Sequence, residues 1–141
     1  MKLNITNKQY KHLLDLIYLG EWTANSGRVD DDRIKVYDDL FNYFFSFAND
    51  FGYDDQVTYD KKLDAYFPTQ EFEERLQPLI DFNDNEVFWN ELPTRLAKRD
   101  IKQSGETFET TEDYLRKLFE IEGYYEDEFE ENGLKNLRVQ D

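Results

Sequence analysis

The sequence contains no cysteine, which removes disulfides, thiolate nucleophiles and thiolate-bound zinc sites together. It has one histidine, His12, with Gln9 three residues before it, so the paired Glu-x-x-His arrangement of a di-iron helical bundle cannot be assembled. Three prolines and six glycines leave no Pro/Gly/Ser-rich interval where a second domain could be joined, and a single acidic helical domain over residues 1–141 is expected. No window approaches about 18 consecutive apolar residues, the length of a membrane span. The opening Met1-Lys2-Leu3-Asn4 lacks the charged-then-apolar profile of a secretion signal. A cytoplasmic protein without a membrane role is the expectation.

Positive charge is also scarce. Lys and Arg number 17 against 32 Asp and Glu, for a formal net charge of -15. Such a field repels nucleic-acid phosphates and anionic bilayers and attracts basic partners, so direct nucleic-acid binding is disfavoured. Acidic surfaces also serve solubility alone, and any functional reading of the charge is weighed against that.

What the chain has in abundance is aromatic surface: 12 Phe, 10 Tyr and 2 Trp. These carry enough apolar area to build a core despite the modest aliphatic content, and a chain so rich in rings is not a disordered acidic one. The first helix opens on Thr6 with Gln9, a capping box, flanked by Ile5 and Tyr10 as a hydrophobic staple. Tyr10, Leu13, Leu14, Ile17 and Tyr18 recur at helical spacing to Leu19 or Ala24, with Gly27 as a stop. A second helix is predicted from Asp30-Asp31-Asp32 to Gly52 on a face of Ile34, Tyr37, Phe41, Phe44, Phe45, Ala48 and Phe51.

Periodicity is lost from Tyr53 to Pro68, and Val57-Thr58-Tyr59 is too short a run to argue a sheet. A long connection docking through Leu63, Tyr66 and Phe67 is expected there. A third helix follows from Thr69, bent at Pro78. A fourth starts at an Asn83/Glu86 capping box with Pro93 inside it, and the last starts at Thr110 or Thr111 and ends at Gly133. The fold class read from this pattern is all-α: an irregular bundle of about five helices with the middle ones kinked by proline.

Motifs that would carry chemistry are weak or absent. Asp81, Asn83 and Asn85 match the first three ligands of a calcium loop, but Glu86 stands where the glycine is required and Leu92 where the bidentate glutamate is required. There is no Gly-rich phosphate loop, G-x-S-x-G or H-E-x-x-H, and His12 has no Ser or Asp constellation tied to it. The sequence therefore points to no catalytic residues, no cofactor and no metal.

One segment rises above this background. From Glu120 to Glu131 seven carboxylates, at positions 120, 122, 126, 127, 128, 130 and 131, interleave with Tyr124, Tyr125 and Phe129 and with no basic residue. On a helix Glu122, Glu126 and Glu130 stack at like-charged i,i+4 spacing, which costs a few tenths of a kcal/mol per pair. A ridge that opposes its own helix is a candidate partner-binding surface, with Asp127 and Tyr124 beside it.

The stretch N-E-V-F-W-N-E-L-P-T-R-L-A-K-R-D at residues 85–100 and the ending E-D-E-F-E-E-N-G-L are similar in pattern to small acidic helical hypothetical proteins of bacterial genomes. That resemblance implies a bacterial or phage origin and carries no mechanism. The leading expectation is a non-catalytic module docking on a basic protein partner, as an inhibitor, an immunity-type protein or a nucleic-acid mimic. The alternatives are a small enzyme or ligand binder with a carboxylate/tyrosine pocket between helices, and a self-associating homodimer paired through Leu40 and Phe47.

Overall fold

The computed structural model describes residues 2–139; Met1, which opens the segment read for a secretion signal, and residues 140 and 141 lie outside them. The chain is mostly helical: α1 (Asn7–Asn25), α2 (Lys35–Phe45), α3 (Gln70–Ser104) and α4 (Thr111–Asn132), with a hairpin of β1 (Val57–Asp60) and β2 (Ala65–Pro68) and two short 3-10 turns. It divides into two compact units, Met1–Ile80 and Asp81–Asp141. Among the described residues no helix is long and apolar enough to cross a membrane.

In the first unit α1 starts at the expected capping box. Thr6 Oγ1 accepts the Gln9 amide at 3.2 Å, and Gln9 Oε1 accepts the Thr6 amide at 2.9 Å. Tyr10, Leu14 and Tyr18, each four residues apart, bury one face of α1 against Phe41 and Phe45 of α2 and Phe72, Leu76 and Ile80 of α3. Rings set the geometry of this core: Phe41 and Phe45 stack at 4.0 Å, while Phe45 meets Phe72 edge-on at 5.6 Å. Tyr10 is buried, and its hydroxyl donates to the Phe44 carbonyl at 2.6 Å. Burial first, and Asp50 second, push its pKa up to about 12. Arg75 closes the unit from outside, gripping Asp15 of α1 with two bonds at 2.7 and 3.0 Å.

Three expectations are corrected here. The second helix is shorter than predicted, because Asp30–Asp32 forms a separate 3-10 turn and α2 gives way to turns after Phe45, ending at Gly52 with φ 75°. The connection after Tyr53 is an antiparallel hairpin with Val57 opposite Pro68 and Tyr59 opposite Tyr66. Its turn is built by side chains. Asp60 Oδ1 accepts the Lys62 and Leu63 amides, Asp64 adopts φ 48°, and the Tyr66 amide donates to Asn42 Oδ1 of α2 at 2.8 Å. Leu63 and Phe67 are exposed, so of the three expected docking residues only Tyr66 packs on the core.

The third correction concerns the prolines. The two kinked middle helices of the expected five-helix bundle are one uninterrupted helix, α3, and Asn83 and Glu86 lie inside it instead of opening a new one. Each proline costs α3 one backbone hydrogen bond. Leu76 and Ile80, buried on either side of Pro78, keep the helix wound there, and Pro78 itself faces solvent. Pro93 is fully buried and contributes packing in return.

The second unit gathers Ala97 and Ile101 of α3 and Leu118 of α4, covered by Phe108, Tyr114 and Ile121. Gly105, with φ 68°, ends the turn after α3, and Thr110 caps α4 by accepting the Asp113 amide at 3.1 Å. Gly133 follows α4 with φ 57° and donates its amide to the Phe129 carbonyl at 2.9 Å. Leu137 and Val139, after the last helix, are exposed.

Candidate functional site

The acidic segment forms the second half of α4. Glu122, Glu126 and Glu130 advance along one face, as four-residue steps require. Glu122 is half-buried beside the core, whereas Glu126, Asp127, Glu130 and Glu131 are exposed. At about 100° per residue, Asp127 lies a quarter-turn beyond Glu126, and Tyr124, 66% exposed, lies on the far side of the helix. The five residues singled out in the sequence thus occupy two flanks of α4. Only the three glutamates form a ridge.

Among the described residues two of the seven carboxylates are engaged: Glu120 by Lys117 at 3.1 Å, and Glu128 by the Asn136 side-chain amide at 2.6 Å. Among the described residues no ion pair reaches Glu122, Glu126, Asp127, Glu130 or Glu131.

The other acidic cluster is answered locally in part. Arg28 pairs with Asp32, Lys35 with Asp39, and Arg33 spans Glu21 and Asp38 at 2.6 Å each. Asn25, with no exposed surface, ties this network to the backbone by accepting the Ile34 amide at 2.8 Å and donating to Glu21 and Asp38. Hydrogen bonding to Arg33 holds the Asp38 carboxyl below its ordinary range. Because the folded pKa is depressed, this interaction stabilises the protein above the usual value of 3.8, and the stabilisation is lost as pH falls through the folded pKa. Arg33→Met should raise the Asp38 titration, read by carboxyl NMR, and move acid unfolding to higher pH; an Asp38 titration unchanged in the variant would contradict this account.

A further polar cluster escaped the sequence reading. Tyr125 donates to Asp100 Oδ2 at 2.5 Å, and Arg99 bonds both Asp100 and the Tyr125 oxygen. Burial and then Asp100 raise the Tyr125 pKa. Burial alone would raise Asp100, but the bonds from Tyr125 and Arg99 outweigh it and hold Asp100 low. Neighbouring Arg99 and Asp100 give no sequence signal that a tyrosine 25 residues later will complete the group. Asp38 and Asp100 are thus both held ionised, the opposite of what a general acid requires.

His12 is exposed on α1, 3.7 Å from Asp15. Asp81, Asn83 and Asn85 are exposed on α3 and form no loop. Among the described residues no group of three or more His, Cys, Asp or Glu is placed to hold a metal ion. Trp22 is 37% exposed and Trp89 is half-buried, so aromatic surface does reach solvent in both units. No protein-family model, curated protein or solved structure matches the chain.

Proposed function

We propose that the protein is a cytoplasmic, non-catalytic interaction module that docks a basic protein partner on the acidic face of α4. The observation that carries this reading is the contrast between the two acidic clusters. Around Asp38, Arg28, Arg33 and Lys35 pair with Asp32, Glu21, Asp38 and Asp39, leaving Asp30 and Asp31 outside these pairs, whereas among the described residues no ion pair reaches Glu122, Glu126 or Glu130. Like charges stacked without relief destabilise a helix, and a partner bearing Lys or Arg would relieve them while gaining from the long-range field. Exposed Asp127, a quarter-turn from Glu126, adds a polar contact at the edge of the ridge, while Tyr124 faces the opposite side of α4 and lies outside this docking face. An inhibitor or immunity-type protein covering a basic surface, or a mimic of a row of phosphates, would present such a ridge.

Replacing Glu122, Glu126 and Glu130 together by Gln should leave the fold intact and raise stability by a few tenths of a kcal/mol, since two like-charged i,i+4 pairs are relieved. A thermal melt showing substantial destabilisation would mean that the ridge is paired internally. The function itself is tested by affinity capture from a bacterial lysate at low and high salt, with the triple variant alongside. The reading expects a basic protein captured by the natural chain, released by salt and missed by the variant; equal capture by both would sink it.

Self-association is favoured by one separate observation: Val36, Tyr37, Leu40 and Tyr43 leave an apolar face of α2 exposed. Phe47, its expected companion, packs on the core instead, and two copies each of charge -15 repel. Sedimentation at rising salt tests this second reading, which expects dimer to accumulate as repulsion is screened.

A further inference from the structure

The second unit contains a cleft of about 350 Å³ between α3 and α4, lined by Trp89, Asn90, Pro93, Glu126, Phe129 and Glu130. Its apolar part is Pro93 and Phe129, both buried, and the half-buried Trp89, whose ring lies 5.9 Å from that of Phe129. The indole N–H is already donated to Asn85 Oδ1 at 3.2 Å, so what the indole offers a ligand is its π surface. Glu126 and Glu130, one helical turn apart, border the same cleft, and among the described residues neither has an ion-pair partner.

This combination selects among ligands. An anion would be repelled, and a purely apolar group would desolvate two carboxylates without compensation. A hydrated divalent cation prefers an all-oxygen shell to indole and phenyl rings. An ammonium is a compact, strongly hydrated point charge, whereas a guanidinium is flat and weakly hydrated, stacks on aromatic faces and donates a fork of N–H groups to carboxylates. We propose that this cleft receives an arginine side chain of the partner, stacked against Trp89 and paired with Glu126 and Glu130. The proposal rests on the docking reading above and names the chemistry that reading requires of the partner.

The test uses the full chain carrying Trp22→Phe, so that fluorescence reports Trp89 alone, and three peptides with the same glycine spacing bearing arginine, lysine or neutral citrulline. The arginine peptide should shift Trp89 emission and bind roughly tenfold more tightly than the lysine peptide, with citrulline far weaker. Glu126→Gln with Glu130→Gln, and separately Trp89→Leu, should reduce the arginine preference to about twofold or less, with the melting temperature as the control for folding. Equal binding of arginine and lysine peptides, with Trp89 emission unmoved, would overturn the cleft assignment and leave docking on basic partners standing. Wild-type binding of both basic peptides no tighter than that of citrulline would overturn both.

Discussion

Phe45→Ala lowers the stability of the protein by about 3–5 kcal/mol, the cost of emptying a large aromatic site that cannot collapse. Phe45 has no exposed surface, stacks on Phe41 at 4.0 Å and receives the edge of Phe72 at 5.6 Å. It thereby joins α2 to α3 at the middle of the first core. Urea denaturation followed by circular dichroism measures the loss. Phe82→Ala is the internal comparison, because Phe82 is 68% exposed on α3 and its removal should change stability by no more than about 0.5 kcal/mol. Equal effects from the two substitutions would mean that the first core is not the close-packed cluster described.

Asn25→Ala costs about 2–4 kcal/mol, because it strands several partners at once. Without its Oδ1 the Ile34 amide at the start of α2 loses an acceptor at 2.8 Å, and without its amide Glu21 and Asp38 each lose a donor. The site is fully buried, so water does not replace those bonds without rearrangement. The consequence is local as well as global. Hydrogen exchange in the variant should show α2 opening more readily, and unchanged protection with a loss below about 1 kcal/mol would show that Arg33 alone holds the network.

The helices were legible where local chemistry and burial agree. Thr6 with Gln9, the start of the last helix at Thr110, and the four-residue steps Tyr10-Leu14-Tyr18 are each set by local chemistry, so sequence pattern and structure coincide. The hairpin was not legible, because Val57–Asp60 gains its partner across a turn made by the Asp60 side chain. Its anchor, Asn42, lies 24 residues before the Tyr66 amide. The continuity of α3 was hidden for a related reason. The penalty at Pro78 and Pro93 is local and visible in the sequence, but the burial of Leu76, Ile80, Pro93 and Ala97 that outweighs it is tertiary.

At the candidate site the same division holds. Seven carboxylates without a basic neighbour can be counted along the chain. That Glu126 and Glu130 border a cleft with Trp89 depends on two segments more than 30 residues apart coming together. The sequence also grouped Tyr124 and Asp127 with the ridge by proximity along the chain, while helical geometry turns them to another flank.

The most direct test of the account is the salt dependence of binding to one arginine-bearing peptide, compared across the natural chain, the Glu122/Glu126/Glu130→Gln variant and a charge-matched Asp30/Asp31/Asp32→Asn variant. The account predicts steep weakening with salt for the natural chain and the Asp30–Asp32 variant, and weak, nearly salt-independent binding when the ridge is neutralised. If the two triple variants lose affinity equally, the peptide senses only net charge, and α4 is not a docking site.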